Sequence, residues 1–160
     1  MTLLFEKSKI IKEKFDLIPH PEGGYYREYY RDEKFTQTER GIRSYSTAIY
    51  YLLEGEDFSG FHKIQSDELW HFYNGGVLLI HCLEEGVVTT KRLGPPESNA
   101  EFSQVIPAGV WFAAELEDKN SFAFVGCTVS PGFDFADFTM AKKEELLALC
   151  SSPLVQRLSR

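Results

Sequence analysis

The period of the apolar positions changes once near the start of the chain and again near its end. Leu3, Leu4, Ile10, Ile11 and Phe15 stand among Lys and Glu at near-helical spacing, so the first segment reads as a short amphipathic helix. Pro19, Pro21, Gly23 and Gly24 then stop it, because Pro lacks the helical N–H and Gly permits tight reversals. From there the chain consists of short β-branched and aromatic runs at 24–30, 44–53, 60–64, 68–73, 77–83, 87–93, 102–106, 110–116 and 122–129, separated by Gly, Pro, Asn and Asp. Many short strands at this spacing predict an antiparallel sandwich or barrel. Asn74-Gly75-Gly76 and Glu84-Glu85-Gly86 read as hairpin connections, since Gly supplies the positive φ that tight turns need. Residues 141–150 return to a helical pattern. No repeat, low-complexity stretch or linker divides the chain, so residues 1–160 are expected to form a single domain.

Composition narrows the class. A chain of 160 residues, 43% hydrophobic, can bury roughly 70% of its unfolded surface and needs neither disulfides nor a structural metal. The balance of 17 basic against 24 acidic side chains, with no Lys/Arg cluster longer than a pair, repels a phosphate backbone and argues against nucleic acid as a partner. The longest apolar runs, such as 77–80, are far short of a bilayer span, and Lys and Glu occupy the N-terminal segment where a signal peptide needs an apolar core. A cytoplasmic protein without a membrane partner is therefore expected. Cys82, Cys127 and Cys150 are odd in number and widely separated, which fits free thiols. The 13 Phe, 8 Tyr and 2 Trp form a large aromatic share that a β core explains in most part.

Ionisable residues inside apolar strands are harder to explain by packing, because burying them unpaired is costly. They are His62, Glu68, His71 and His81. Strand parity places Glu68, Trp70 and Phe72 on one face and Leu69, His71 and Tyr73 on the other. If the turn at 65–67 brings the flanking strands together, His62 and Glu68 point into one aromatic-walled cavity as an acid–base pair in a partly dry site. A purely structural hydrogen-bonded pair is an equal alternative. His71 and His81 are expected at a surface or subunit interface, and Cys127 as a small buried thiol.

The stretch His62-Lys63-Ile64-Gln65-Ser66-Asp67-Glu68, followed by six residues and Gly75, resembles the first cupin motif, in which two histidines one residue apart precede a glutamate and a glycine. Pro107-Ala108-Gly109 followed by Val110-Trp111-Phe112 resembles the second, with Phe112 where a histidine normally stands. In more detail the chain resembles a family of single-domain cupins of unknown function, related in fold to the metal-free epimerases of deoxysugar biosynthesis. The segments 20–28, 46–53, 68–73 and 125–135 carry that resemblance.

The resemblance implies an all-β, antiparallel jelly roll (a double-stranded β-helix) with short N- and C-terminal helices, and a homodimer. A metal-binding cupin uses three histidines and a glutamate, whereas here Ile64 and Phe112 replace two of them, and a hydrocarbon cannot ligate a transition metal. No metal and no cofactor are therefore expected. The epimerase likeness implies a pocket for a small molecule, with His62 as general base next to a carbonyl and Glu68 as its partner. Arg27, and after it Arg43, are candidates to clasp an anionic group. Tyr25, Trp70, Phe72, Trp111 and Phe112 are candidates to line or stack on the ligand, with Trp111 on the opposite parity from Phe112. Pro21 to Gly24 reads as a loop near the pocket mouth, which gives His20 lower weight. The functional expectation is epimerase- or isomerase-like chemistry on a sugar-like or carbonyl metabolite. A non-catalytic metabolite-binding module is the alternative, and a metal-dependent oxygenase the weaker third.

Overall fold

The computed structural model describes residues 2–160. The first apolar stripe folds as α1 (Thr2–Lys14). The strands that follow are β1 (Ile18–Pro19), β2 (Tyr25–Arg31), β3 (Phe35–Thr38), β4 (Gly41–Ser44), β5 (Thr47–Glu54), β6 (Phe58–Lys63), β7 (Asp67–Gly75), β8 (Leu78–Glu84), β9 (Val87–Leu93), β10 (Ser103–Ile106), β11 (Trp111–Leu116), β12 (Phe122–Ser130) and β13 (Thr139–Met140). Two helices close the chain, α2 (Lys143–Leu149) and α3 (Pro153–Leu158).

The strands build a six-stranded sheet, β1-β2-β5-β12-β7-β10, and a five-stranded sheet, β13-β6-β11-β8-β9, with β3 and β4 as a separate hairpin. The pairings between these strands are antiparallel. This is the expected jelly roll, with short helices towards both ends.

The apolar pattern of each strand follows from what covers it. On β5, Tyr51 and Leu53 enter the core between the sheets while Leu52 joins Phe122 and Phe124 of β12 beneath α1. Both faces are covered, so these strands read as near-continuous apolar runs instead of alternating ones. Helix α1 is docked there by Leu4 and Ile11, and by Glu54, which accepts from Ser8 Oγ and Lys12 Nζ, each at 2.7 Å. In the second sheet, Phe112 and Ile80 face the core, while Phe61, Leu83 and Ala113 face outwards against Leu146, Val155 and Leu158 of α2 and α3.

Two connections differ from expectation. The hairpin at Glu84-Glu85-Gly86 forms, with positive φ at Glu85 and Gly86 and β8 paired to β9. Asn74-Gly75-Gly76 closes no hairpin, because β7 lies in the first sheet and β8 in the second. Gly75 is required there for a close approach: at φ 102°, a Cβ would stand 2.1 Å from the Phe122 carbonyl oxygen. The turn at 65–67 is likewise a crossing between sheets, so β6 and β7 face one another across the core instead of pairing. His81, expected at a surface or interface, is 3% exposed, since the C-terminal helices cover the outer face of its strand. No described helix is long and apolar enough to cross a membrane.

Candidate active site

A cavity of about 350 Å³ opens between the sheets. Its wall takes Ile49 from β5, His62 from β6, Glu68 and Trp70 from β7, and Cys127 from β12. Two loops complete it, one carrying His20 and Glu22, the other Phe133 to Phe138.

The first loop is pressed into the barrel by its glycines. Gly23 sits at φ 111°, where a Cβ would lie 2.0 Å from the Phe58 carbonyl oxygen, and Gly24 at φ 76°, where it would lie 2.7 Å from that of Leu52. The Gly60 N–H donates to the Glu22 carbonyl at 2.9 Å, and Arg160 donates from Nε to the same carbonyl at 3.1 Å and from Nη2 to that of Phe58 at 2.8 Å. The loop therefore does not stay at the pocket mouth: Glu22 is only 5% exposed and its carboxylate reaches His62.

That contact fixes a proton. His62 Nδ1 lies 2.6 Å from the Gly60 carbonyl oxygen, which can only accept, so Nδ1 carries a hydrogen. Nε2 lies 2.8 Å from Glu22 Oε2, leaving one further proton between imidazole and carboxylate. Burial opposes charge on His62, but the Glu22 carboxylate and the Gly60 carbonyl raise its pKa above the ordinary value. Burial likewise opposes charge on Glu22, yet His62 and then His20 hold its pKa below the usual range. Both shifts favour the imidazolium–carboxylate form of the pair. Both nitrogens of His62 are engaged by protein groups, which weighs against the general-base role expected of it.

Glu68 has the opposite fate. Its Oε1 accepts from Trp70 Nε1 at 2.5 Å, and its other oxygen has no hydrogen-bond partner among the described residues. Burial, reinforced by the negative charge of Glu22, pushes its pKa up to about 7 against the pull of His62 and Trp70. His20 supplies a third element. Its Nδ1 accepts the Glu22 backbone N–H at 3.1 Å, so in the neutral ring Nε2 carries the hydrogen. Burial lowers its pKa and favours that neutral form. Cys127 also lines the cavity, with its thiol held protonated by burial and by the nearby Glu68 and Glu22 charges.

Of the candidates from sequence, His62, Glu68 and Trp70 line the cavity together. Phe112 lies directly behind, its ring centroid 4.2 Å from that of His62. Phe72 packs partly buried against the core and stays off the cavity wall. Three others are corrected by the parity of their strands. Tyr25 faces outwards beneath Lys12, whose Nζ lies 4.7 Å from the ring centroid. Arg27 faces outwards too, and its guanidinium is bonded to the backbone carbonyl and carboxylate of Asp16. Trp111 turns to the helix-covered outer layer, with Lys63 Nζ 4.5 Å above its ring. Arg43 is buried behind the second loop in a bidentate pair with Asp137, both bonds 2.9 Å.

Glu22, His20 and the phenylalanines of the second loop were missed or underweighted. The signal for Glu22 was its place before two adjacent glycines, a pairing that lets backbone approach backbone.

The donor set does not fit a transition metal. Ile64 and Phe112 offer hydrocarbon at two cupin ligand positions, His62 has no free nitrogen, and no cluster of three ligating side chains occurs among the described residues.

The chain matches the family described as Cupin superfamily (DUF985) over residues 8–141. It is 32% identical over 149 residues to the uncharacterized protein YML079W of Saccharomyces cerevisiae, covering 83% of this chain and 74% of the yeast protein. Among solved structures it resembles a hypothetical protein from Leishmania major, with TM-score 0.88, 27% identity and coverage of 95% and 98% of the two chains. It also resembles protein SO0799 from Shewanella oneidensis, with TM-score 0.87, 35% identity and coverage of 96% and 97%.

Proposed function

The chain belongs to the DUF985 family of the cupin superfamily, and from that premise we propose that its cavity catalyses metal-independent proton transfer at a carbon next to a carbonyl, as an isomerase or epimerase does. The observation that carries the reading is Glu68: a carboxyl with pKa about 7 and one oxygen free of protein partners on the wall of a cavity. A group that is half protonated near neutrality serves equally well to take and to return a proton.

The remaining groups have separate roles. Trp70 fixes Oε1 and leaves Oε2 of Glu68 to reach the substrate carbon. As the proton leaves, negative charge develops on the carbonyl oxygen. The Nε2–H of neutral His20 is the donor for that oxygen, and the His62 imidazolium in the same wall stabilises its charge. Glu22 keeps His62 charged and keeps Glu68 protonatable. His62 is thus a positioning and charge-setting residue, and Glu68 the catalytic one.

Hydrogen exchange tests this without knowledge of the product. Aldoses, ketoses and α-hydroxy ketones are incubated with the protein in D2O and followed by proton NMR. Deuterium is expected at the carbon next to the carbonyl of any substrate, and Glu68→Gln should slow its incorporation by about 100-fold or more. A compound that binds in the cavity but never exchanges would establish the alternative, a non-catalytic metabolite-binding module.

A further inference from the structure

The charges along the cavity wall restrict what can enter. At the inner end His62 is matched by Glu22 at 2.8 Å. At the mouth Arg31 is matched by Glu28, with Nη2 at 2.6 Å and Nε at 3.2 Å from its two carboxylate oxygens, and Nη2 also donates to the Phe133 carbonyl at 2.9 Å. Each of these two cations thus already has a carboxylate of its own. Arg27 and Arg43, the sequence candidates for an anion clasp, are held by Asp16 and Asp137 away from the cavity.

Two backbone donors of the second loop are engaged as well. The Phe133 N–H donates to Thr47 Oγ1 at 2.9 Å, and the Ala136 N–H to Asp134 Oδ1 at 2.8 Å. Two carboxyl groups of the wall, Glu68 and Asp134, form no salt bridge among the described residues, and one imidazolium, His62, is shared between Glu22 and Glu68. A phosphate or carboxylate entering this space would meet surplus negative charge and no cation that lacks a carboxylate of its own.

Apart from His20, Tyr26 and Thr47, the rest of the wall is apolar. Phe133, Phe135 and Phe138 form a mutually edge-on group, with centroids 4.9 to 6.2 Å apart, continuing inwards to Tyr26 and Trp70. Rings of this kind accept the C–H faces of a sugar ring or another flat apolar surface. The volume of about 350 Å³ lies near the lower end of the range for ligand sites, which suits one ring and leaves little room for a nucleotide conjugate.

We infer that the substrate of this site is a single-ring, uncharged carbonyl or hydroxy compound of monosaccharide size, and that the cavity rejects phosphorylated and carboxylated relatives. The inference rests on the acid–base reading above and adds the substrate class. It departs from the anion-binding pocket expected from sequence and assigns Glu28 a selectivity role: it occupies the one arginine at the mouth.

The test is ligand-observed NMR on the full chain, using monosaccharides each presented as the free sugar, its phosphate ester and its aldonate. Free sugars are expected to bind at least about tenfold more tightly than either anion, the scale of one like-charge contact in a partly screened site. Glu28→Gln should release Arg31 and narrow that preference about tenfold in favour of the phosphate esters. A phosphate ester or aldonate that binds the unmodified protein as tightly as its parent sugar overturns the inference, and so does the absence of binding by every free sugar. The two readings fail separately. Charge-selective binding without deuterium exchange removes the chemistry and keeps the selectivity, whereas exchange on a phosphorylated substrate keeps the chemistry and removes the selectivity.

Discussion

Two buried carboxylate–histidine pairs lie on opposite faces of the second sheet, and their Nε2-to-carboxylate distances are the same, 2.8 Å. His62 points into the barrel towards Glu22; His81 points outwards to Glu115 beneath the C-terminal helices. Around Glu115 the cations are in excess: Arg157 binds both its oxygens at 2.7 and 2.9 Å and Lys119 binds one at 2.8 Å. These contacts overcome burial and push its pKa down to about 2. His81 is lowered by burial and by the same cations, so it stays neutral and shares its other nitrogen with Thr90 Oγ1 at 2.8 Å. Inside the barrel two carboxyls share one imidazolium, and Glu68 is left near neutrality with an oxygen on a cavity. A close His–Glu contact alone therefore does not mark an active site. Charge imbalance beside a void is what sets the inner cluster apart as the candidate.

The largest break of this comparison is Glu115→Ala. It leaves Arg157, Lys119 and the buried His81 without their carboxylate; the two cations are partly exposed and regain water, so the expected cost is about 2 to 3 kcal/mol in urea unfolding at neutral pH. Glu68→Gln, close in shape and relieved of a buried charge, should lose far less. Equal losses would mean that both clusters are structural.

The two carboxyls also predict opposite pH slopes. Glu68 has a folded pKa of about 7 against an ordinary 4.5, so the folded state holds the extra proton between those values. Its stabilising contribution is present below 4.5 and fades as pH rises to 7, a loss of about 3 kcal/mol that Glu68→Gln should not display. Glu115 is shifted the other way, from 4.5 to about 2. Its contribution is present above 4.5 and disappears as pH falls through 2. Unfolding midpoints across a pH series, taken as differences between parent and variant, separate the two slopes.

Periodicity made most of the fold legible. The strand runs, the inward parity of Glu68 and Trp70, and the outward turn of Trp111 all follow from side chains alternating on a covered sheet. Connections were harder to read, because Gly75 serves a close approach to Phe122 and a turn residue does not reveal whether its strands share a sheet. Helix α3 carried a signal that could have been used: Ser152 before Pro153, with the Ser152 hydroxyl accepting from Leu154 N–H at 3.2 Å. The site was half legible. His62, Glu68 and Trp70 interrupt or flank strands and could be placed by parity, whereas Glu22 and His20 come from a loop whose path depends on long-range backbone contacts with β6. Tyr25 and Arg27 were misplaced for a simple reason: they alternate with Tyr26 and Glu28, which face the cavity from the same strand.

The smallest effect sharpens the comparison most, because it acts on the inner pair without touching either of its side chains. Arg160 joins the loop of Glu22 to β6 through two carbonyls and stacks 4.1 Å from the Phe58 ring centroid. Arg160→Ala removes two exposed or half-exposed charge-assisted hydrogen bonds and should reduce stability by only about 1 to 2 kcal/mol. If the clamp positions Glu22, the variant also lets the carboxylate withdraw from Nε2, and the His62 imidazole, no longer supported against its burial, titrates at lower pH. Nitrogen-15 NMR of the histidine rings reads this directly, with His81 as the internal control because Arg160 makes no bond to its cluster. Arg160→Lys, which can still donate to one of the carbonyls, should recover part of the shift. A loss of stability with the His62 titration unmoved would make Arg160 a mere staple and would leave the glycines alone to set Glu22 in place.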